Sequence, residues 1–476
     1  MDKQELYQII EEKAPEILAL SDKIWEYAEL SMLEHRSTAA YVELLTAEGF
    51  QVETNLCGIP TAFSGSFGSG KPRIGILGEY DALSGLSQQP GVAEKRPLVE
   101  DGCGQGCGHN LLGAASLAAA IAIKEKIAAG KLQGTVIFYG CPGEEGCAGK
   151  TFMARDGLFA DLDAAITWHP GDTNEVTTGS NAACLQMVYE FSGTAAHAAG
   201  NPWDGRSALD GAEMMNMGVQ FLREHMEPKC SIHYSIADAG GISPNVVQPK
   251  AKLVYMVRAE TVRKAKALLA RVNDAAKGAA LMSGTSVTWH QLDGTSDTLS
   301  NTVLEELLYK NLQEAPMPVY TEEELAFAAD LRKTYAHEGL PGDNVDTNPV
   351  LRRQVAALSN KGQKDINDFV VPYYPAYHFS PGSTDVGDVS WLTPTAQFTT
   401  ATWPSKIPGH SWQVVSVGKS GIAHKGLKLA AKVLAGAAAD LMEKQDLLKA
   451  AREEFEETAA AGYDCPIGPE VVPSAQ

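Results

Sequence analysis

The chain has 476 residues, 44% hydrophobic and 21% charged, a composition of soluble globular proteins and a length that calls for two cores. A formal charge of −20 argues against nucleic acid and anionic membrane as partners, and no segment approaches the roughly 18 apolar residues of a membrane-spanning helix. Eight cysteines are too sparse for a disulfide framework, so a close Cys/His cluster points to metal or nucleophilic chemistry.

The start, MDKQELYQIIEEKAPEILAL, is charged throughout with apolar residues at helical spacing. It reads as an amphipathic helix and not a signal peptide, which makes the cytoplasm the expected location. A second helix is expected over Ser37–Glu48, then a strand in RIGILGEYDA and a small-residue helix over Leu111–Ala129. TVIFYG (135–140) and AAITWHP (164–170) read as buried strands separated by a short helix near Lys150–Arg155. This alternation predicts an α/β fold with a mixed, mostly parallel sheet flanked by helices.

The rhythm changes at about residue 183. CLQMVYEFSG, a helix near Ser207–Arg223, the strands SIHYSIADAGG and AKLVYMVRAE, a helix near Val262–Ser283 and SVTWHQL follow in turn. That β-α-β-β-α-β order predicts an inserted ferredoxin-like α+β domain over 183–298, interrupting a discontinuous domain of 1–182 and 299–476. The EMMNM stripe at 213–217 reads as packing. Residues 316–382 read as irregular, and Lys419 to about Ala461 as helical.

Ligands in open α/β sheets gather beyond the carboxyl ends of strands. Asp81 follows RIGILGEY, Glu144 and Glu145 follow TVIFYG in CPGEEG, and His169 follows AAITW. Cys107 and His109 lie in the glycine-rich GCGHN loop just before a helix. A thiolate, imidazoles and carboxylates suit Zn²⁺ or another first-row divalent ion. Of two adjacent glutamates, one can bind metal while the other takes a proton from water, a division that suits hydrolysis.

Competing motifs fare worse. GSFGSGKP (65–72) ends in proline where a phosphate loop needs Ser or Thr, and reads as a hairpin-like turn. A G-x-S-x-G elbow is missing, against a serine hydrolase. Cys103 and Cys107 lack the second ligand pair of a structural zinc site, and a thiol redox enzyme using the two remains the rival from another class. Asp385 and Asp388 are either loop caps or pocket lining.

The segments GEYDALSGL, GCGHN, CPGEEG, TWHP, AAHAAGNPWDGRSALDG, ISPNVVQPKAKLVYMVRA, PGSTDVGDVSW and PGHSWQ together resemble the di-metal amidohydrolases related to aminoacylases, carboxypeptidases and auxin-conjugate hydrolases. The branch acting on p-aminobenzoyl-glutamate matches best. The resemblance implies two divalent ions, Mn²⁺ or Zn²⁺, with Cys107 as bridging ligand and His109, Glu145, His169 and His410 completing the sites. Only this match selects His410 over His378 or His424. It further implies Glu144 as the base activating a metal-bound water, and His197 as an oxyanion donor to a neighbouring subunit's site. Asn245 and Arg258 match lid positions that bind a substrate carboxylate. An aspartate-bridged relative carries an earlier Asp-x-His-x-Asp motif that is absent here. The implied activity is hydrolysis of an amide between an acyl or aroyl group and an amino acid, p-aminobenzoyl-glutamate foremost, with other N-acyl amino acids or dipeptides as alternatives. The inserted domain would then serve as lid and dimerisation surface, in a homodimer or a heteromer with a homologous A-type subunit. A non-catalytic subunit that needs such a partner is the remaining rival.

Overall fold

Alternation along the strands of one central sheet sends side chains to two separate cores. In the computed structural model, which describes residues 2–475, α1 (Lys3–Tyr27) and α2 (His35–Ala47) precede β1 (Gln51–Thr54), β2 (Phe63–Ser69) and β3 (Arg73–Gly78). Next come α3 (His109–Ala128), β4 (Gly134–Gly140), α4 (Gly149–Arg155), β5 (Ala164–Gly171), β6 (Glu175–Val176) and β7 (Ser180–Asn181). The insert contributes β8 (Ala183–Ser192), α5 (Ala208–Leu222), β9 (Ser231–Asp238), β10 (Lys250–Ala259), α6 (Val262–Ser283) and β11 (Ser286–Thr295). The remainder holds α7 (Thr302–Glu314), α8 (Glu322–Arg332), α9 (Pro349–Leu358), β12 (Phe379–Ser380) and α10 (Val386–Ser390). It ends with β13 (Thr395–Ala401), α11 (Trp412–Val417), α12 (Gly421–Glu443) and α13 (Gln445–Thr458).

The main sheet runs β1-β2-β4-β3-β5-β13-β6. Its centre, β4-β3-β5-β13, is parallel, and antiparallel pairs at both margins make it mixed, as expected. Ile74, Ile76, Val136, Phe138, Ile166 and Trp168 face a core built with α1, α3 and α12. Leu77, Ile137, Tyr139 and Ala165 face the other, built with α4 and the C-terminal Ile467 and Val471. Each fully buried residue of this size stabilises the fold by about 1.5–3 kcal/mol. Helix α3 is apolar all round and accordingly buried along nearly its whole length.

The insert's sheet has the order β11-β8-β10-β9, with all neighbours antiparallel and with α5 and α6 packed on one core, which is the ferredoxin-like arrangement. Met215 of the EMMNM stripe enters that core, but Met214 and Met217 stand exposed beside Phe221, so packing accounts for only part of the stripe. No helix among the described residues is long and apolar enough to cross a membrane.

Three local expectations change. β2 and β3 do not form a hairpin across GSFGSGKP; they flank β4 on opposite sides, with Phe67 and Ile74 both registered against Val136. β4 is apolar on both faces and gains more between two strands than at an edge. The segment 316–382 is not irregular throughout, because α8 and α9 lie inside it. α8 starts on a complete capping box, Thr321 with Glu324, and α9 starts on Asn348 with Pro349 in its first turn. Similarly, the last helical stretch breaks at Lys444 into α12 and α13.

At the sheet's far margin β6 turns Glu175 inward, where it accepts from Thr173 Oγ1 at 2.7 Å and from the Asp343 amide at 3.1 Å. Burial, and then the charge of Asp343, pushes its pKa up to about 8. The folded state therefore binds this proton more tightly than the unfolded chain, and stability falls as pH rises from the ordinary carboxyl range through about 8. Thermal melts should show Glu175→Gln gaining over the native chain between pH 5 and pH 8.5; a difference flat with pH contradicts this.

Candidate metal centre

The ends of β3, β4 and β5 and the start of α3 converge on one buried site. Beyond β3, Glu79 and Asp81 alternate around Tyr80, so both carboxylates point the same way. Beyond β4, Cys141, Pro142 and Gly143 lead to Glu144 and Glu145. On β5, Trp168 turns into the core and donates its indole N–H to the Leu112 carbonyl at 3.0 Å, which sends neighbouring His169 to the opposite face. The Cys107–His109 turn enters α3 through Gly108 at φ 78°, where a Cβ would meet Pro170 at 3.0 Å. One turn further, Gly113 lets α3 approach the sheet end, since a Cβ there would lie 2.6 Å from the Glu79 carbonyl oxygen.

Asp81 organises the cluster. Its Oδ1 accepts from His109 Nδ1 at 2.8 Å, while Oδ2 accepts from Ser31 Oγ at 2.8 Å and from the Glu145 amide at 3.0 Å. His169 Nδ1 donates to its neighbour Pro170's carbonyl at 2.7 Å. In their neutral form both imidazoles thus carry hydrogen on Nδ1 and present a bare Nε2 inward, the form a metal ligand needs.

Those inward atoms fit metal ions. Cys107, His109 and His169 offer ligand atoms within 4.8 Å of one another, and so do Cys107, Glu145 and His410. Cys107 belongs to both groups, as a bridging ligand must. Cys107 Sγ lies 3.4 Å from His169 Nε2, and His410 Nε2 lies 3.3 Å from Glu145 Oε1. Bonds of about 2.1 Å in a tetrahedral site set ligand atoms about 3.4 Å apart. Three atoms here, Glu79 Oε2, His109 Nε2 and Glu145 Oε1, are sealed from solvent with no hydrogen-bond partner. Orphaned acceptors gathered at one point are costly unless a cation completes them.

Negative charge predominates around these atoms, and protons occupy the places an ion would take. Burial opposes it, yet Cys107, Glu79 and the Asp81 hydrogen bond drive the His109 pKa well above the ordinary imidazole value. Burial pushes the Cys107 thiol up, and lowers His169. Burial, then the charges of Glu79, Asp385 and Glu145, raises Glu144 well above the ordinary carboxyl range. A group poised this way accepts a proton readily once cations nearby have stabilised its ionised form.

His410, and not His378 or His424, joins the cluster. It sits in the turn before α11 with its amide donating to the Gly106 carbonyl at 3.1 Å, which holds it against the Cys107 loop. His424, on α12, instead pairs with Asp22 of α1, and His378 lines a recess near β12. Cys103 lines a separate recess with Trp25, Val99 and Val415.

Three residues of the inserted domain stand outside these ligand groups. His197 stands exposed between β8 and α5, its Nδ1 accepting the Ala199 and Gly200 amides at 3.1 and 3.0 Å, so the neutral ring holds its proton on Nε2. Asn245 lies beside it, its carbonyl accepting the Ala198 amide at 3.0 Å. Arg258 is near the other end of β10, where its Nε donates to Ser383 Oγ at 3.2 Å. Eight residues of strand, about 26 Å at 3.3 Å each, separate the start of β10 from Arg258, so one chain does not bring Asn245 and Arg258 to one small ligand.

Glu79, Lys150, Asp385 and Asp388 complete the surroundings. Lys150 Nζ pairs with Glu79 Oε1 at 2.6 Å and Asp385 Oδ1 at 2.7 Å, all fully or nearly fully buried. Asp388 accepts from Thr151 Oγ1, Ser296 Oγ and Tyr463 Oη, each at 2.7 Å. Neither aspartate caps its own helix with its side chain. Asp385 supports the centre, and Asp388 ties α4, the end of the insert and the C-terminal segment together. Sequence reading passed over Glu79 and Lys150, although an acidic residue two positions before Asp81, beyond a buried strand, was a usable signal.

A mostly parallel α/β sheet whose strand ends carry two ligand groups around a shared thiol, with a spare glutamate beside them, defines a metal-dependent hydrolase. The chain belongs to peptidase family M20/M25/M40, which matches residues 75–469. It is 41% identical to the B-type chain of the p-aminobenzoyl-glutamate hydrolase of Escherichia coli (strain K12) over 478 residues, 99% of each chain. The fold is similar to an aminobenzoyl-glutamate utilization protein from Klebsiella pneumoniae, with TM-score 0.61 and 16% identity over 91% of this chain and 98% of that one. It is also similar to a dinuclear metal binding peptidase of the M20 family from Bacillus subtilis, with TM-score 0.55 and 16% identity over 91% and 99% of the two chains.

Because Cys107 lies in both ligand groups, Cys107→Ser should deplete metal from both positions after dialysis against a chelator. Cys103→Ser should retain metal and activity; loss of activity there instead would favour thiol redox chemistry.

Proposed function

We propose that the chain hydrolyses the amide bond between an acyl or aroyl group and an amino acid, with p-aminobenzoyl-glutamate as its principal substrate. The observation that carries this reading is the pair of ligand groups sharing Cys107, with Glu144 beside them. The substrate follows from the full-length similarity to one chain of a p-aminobenzoyl-glutamate hydrolase. Two Mn²⁺ or Zn²⁺ ions held by Cys107, His109, His169, Glu145 and His410 would polarise the amide carbonyl and acidify the attacking water. Glu144 accepts the proton of that water and returns it to the leaving nitrogen. His197 donates its Nε2–H to the oxyanion from a partner chain, which suits an exposed ring with its other nitrogen already occupied. Arg258 and Asn245 bind the carboxylate of the amino-acid product half.

We read 183–298 as a lid and dimerisation domain on a catalytic domain of 1–182 and 299–476. The separation of Asn245 from Arg258 along β10 supports a site shared between two chains. Met214, Met217 and Phe221 form an exposed stripe on α5, and Tyr234 and Ile236 are exposed on the edge strand β9, both suited to covering by a second subunit. Similarity to the B-type chain of a hydrolase favours a heteromer with a homologous A-type chain. Eight free cysteines fit a cytoplasmic setting.

Assaying the metal-loaded chain against p-aminobenzoyl-glutamate, alone and with an A-type partner, tests the reading; no release of p-aminobenzoate in either case would overturn it. Glu144→Gln should cut turnover about 10²–10⁴-fold while both ions remain bound, and near-native turnover would remove Glu144 from its role.

A further inference from the structure

We propose that Glu79 is itself a metal ligand, joining His109 on one of the two ions, with Lys150 and Asp385 as its outer support. This rests on the two-ion reading of the site. His109 Nδ1 is engaged by Asp81 at 2.8 Å, so the lone pair of the neutral ring lies on Nε2. That atom faces Glu79 Oε2 at 3.2 Å. Neither atom is solvent-accessible, and neither has a hydrogen-bond partner. Two lone pairs facing each other in a sealed site repel unless a proton or a metal cation lies between them, and an ion that displaces the Nε2 proton finds both atoms ready to bind it. The spacing is close to the distance between neighbouring ligand atoms of one ion, about 3.4 Å for bonds near 2.1 Å. Glu79, His109 and Glu144 also present ligand atoms within 4.8 Å of one another.

The other Glu79 oxygen is committed. Oε1 pairs with Lys150 Nζ at 2.6 Å, so one oxygen remains for an ion. Lys150 is in turn fixed twice by Asp385, through Nζ at 2.7 Å and through its amide at 2.8 Å. Hydrogen-bonded partners of this kind orient ligating carboxylates in metal sites. The assignment also balances charge. Without Glu79, one ion would have two neutral imidazoles and a shared thiolate; with it, each ion has a carboxylate of its own, Glu79 on one side and Glu145 on the other.

The test is metal binding by the full chain, independent of hydrolysis. Chelator-stripped protein is titrated with Co²⁺, following bound metal by equilibrium dialysis and ligand-field absorption. The native chain should bind two ions, and Glu79→Gln should bind one of them with native affinity and the other at least about tenfold more weakly. Lys150→Met should weaken the same ion, and combining Glu79→Gln with His410→Ala should weaken both. If Glu79→Gln does not fold, Glu79→Asp, with its carboxylate drawn back, is expected to show the same selective loss. Two ions at native affinity in the Glu79 variants would overturn the assignment and leave the two-ion reading standing. Failure of the native chain to bind two ions would overturn both.

Discussion

Asp81 hydrogen-bonds to His109, to the Glu145 amide and to Ser31 with a single carboxylate. It is sealed from solvent, and its pKa falls below the ordinary aspartate value despite burial, chiefly through the His109 hydrogen bond. The three groups it joins come from the start of α3, the turn after β4 and the turn before α2. His109 thereby acquires its tautomer, and Glu145 its backbone position. Cys107 follows because it is two residues from His109 in a loop that only glycine at position 108 permits. A water molecule could satisfy Asp81 but could not fix three segments against one another, so the geometry of both ligand groups depends on this side chain.

The cluster also has an electrostatic constraint. Glu79, Asp81, Glu144, Glu145 and Asp385 crowd one another around the cluster, while Lys150 is a buried cation among them. Burying an ion without a counter-charge costs several kcal/mol. Lys150 answers for Glu79 and Asp385, and its own pKa is driven well above the usual value by these two carboxylates against the effect of burial. Glu145 has only the half-exposed His410 for its Oε1, and that ring is held toward its charged form by the same contact. A cluster so short of positive charge favours divalent cations strongly. The high Glu144 pKa is the other side of this shortage, since the negative charges around Glu144 make its proton hard to remove.

Much of this was legible in the sequence because strands announce their ends. RIGILGEY, TVIFYG and AAITW are apolar runs that stop at charged or ligating residues, and parallel strands bring such stops to one edge. The insert was equally legible, since β8, β10 and β11 alternate and two amphipathic helices separate them in the expected order. What escaped has physical reasons. Lys150 begins a short helix and resembles any solvated lysine; only the tertiary packing of Asp385, 235 residues away, identifies it as buried. The pairing of β2 and β3 with β4 depends on which strand gains most from the centre of the sheet, a competition that local turn chemistry does not report. α8 carries a good cap, but its apolar residues do not line one face, so its periodicity was weak; α9 is amphipathic, and its Asn348 cap with Pro349 was a usable signal.

The inserted domain presents a geometric problem that the metal cluster does not. His197 and Asn245 lie side by side because their loops pair through His197 and Val246. Arg258 lies near the far end of β10 and reaches Ser383 in the turn before α10. Strand rise separates these positions by more than the length of a small substrate. Sliding or rotating the insert as a rigid body cannot shorten the distance, since both ends belong to one strand and its flanking loop. Only bending β10, which would break its ladder with β8 and β9, or a second copy of the His197–Asn245 edge could place all three around one ligand. β10 pairs with β8 along its full length, so bending is the expensive route. The proposed second subunit needs no such rupture, and the exposed edge strand and apolar α5 stripe are the surface proposed for it.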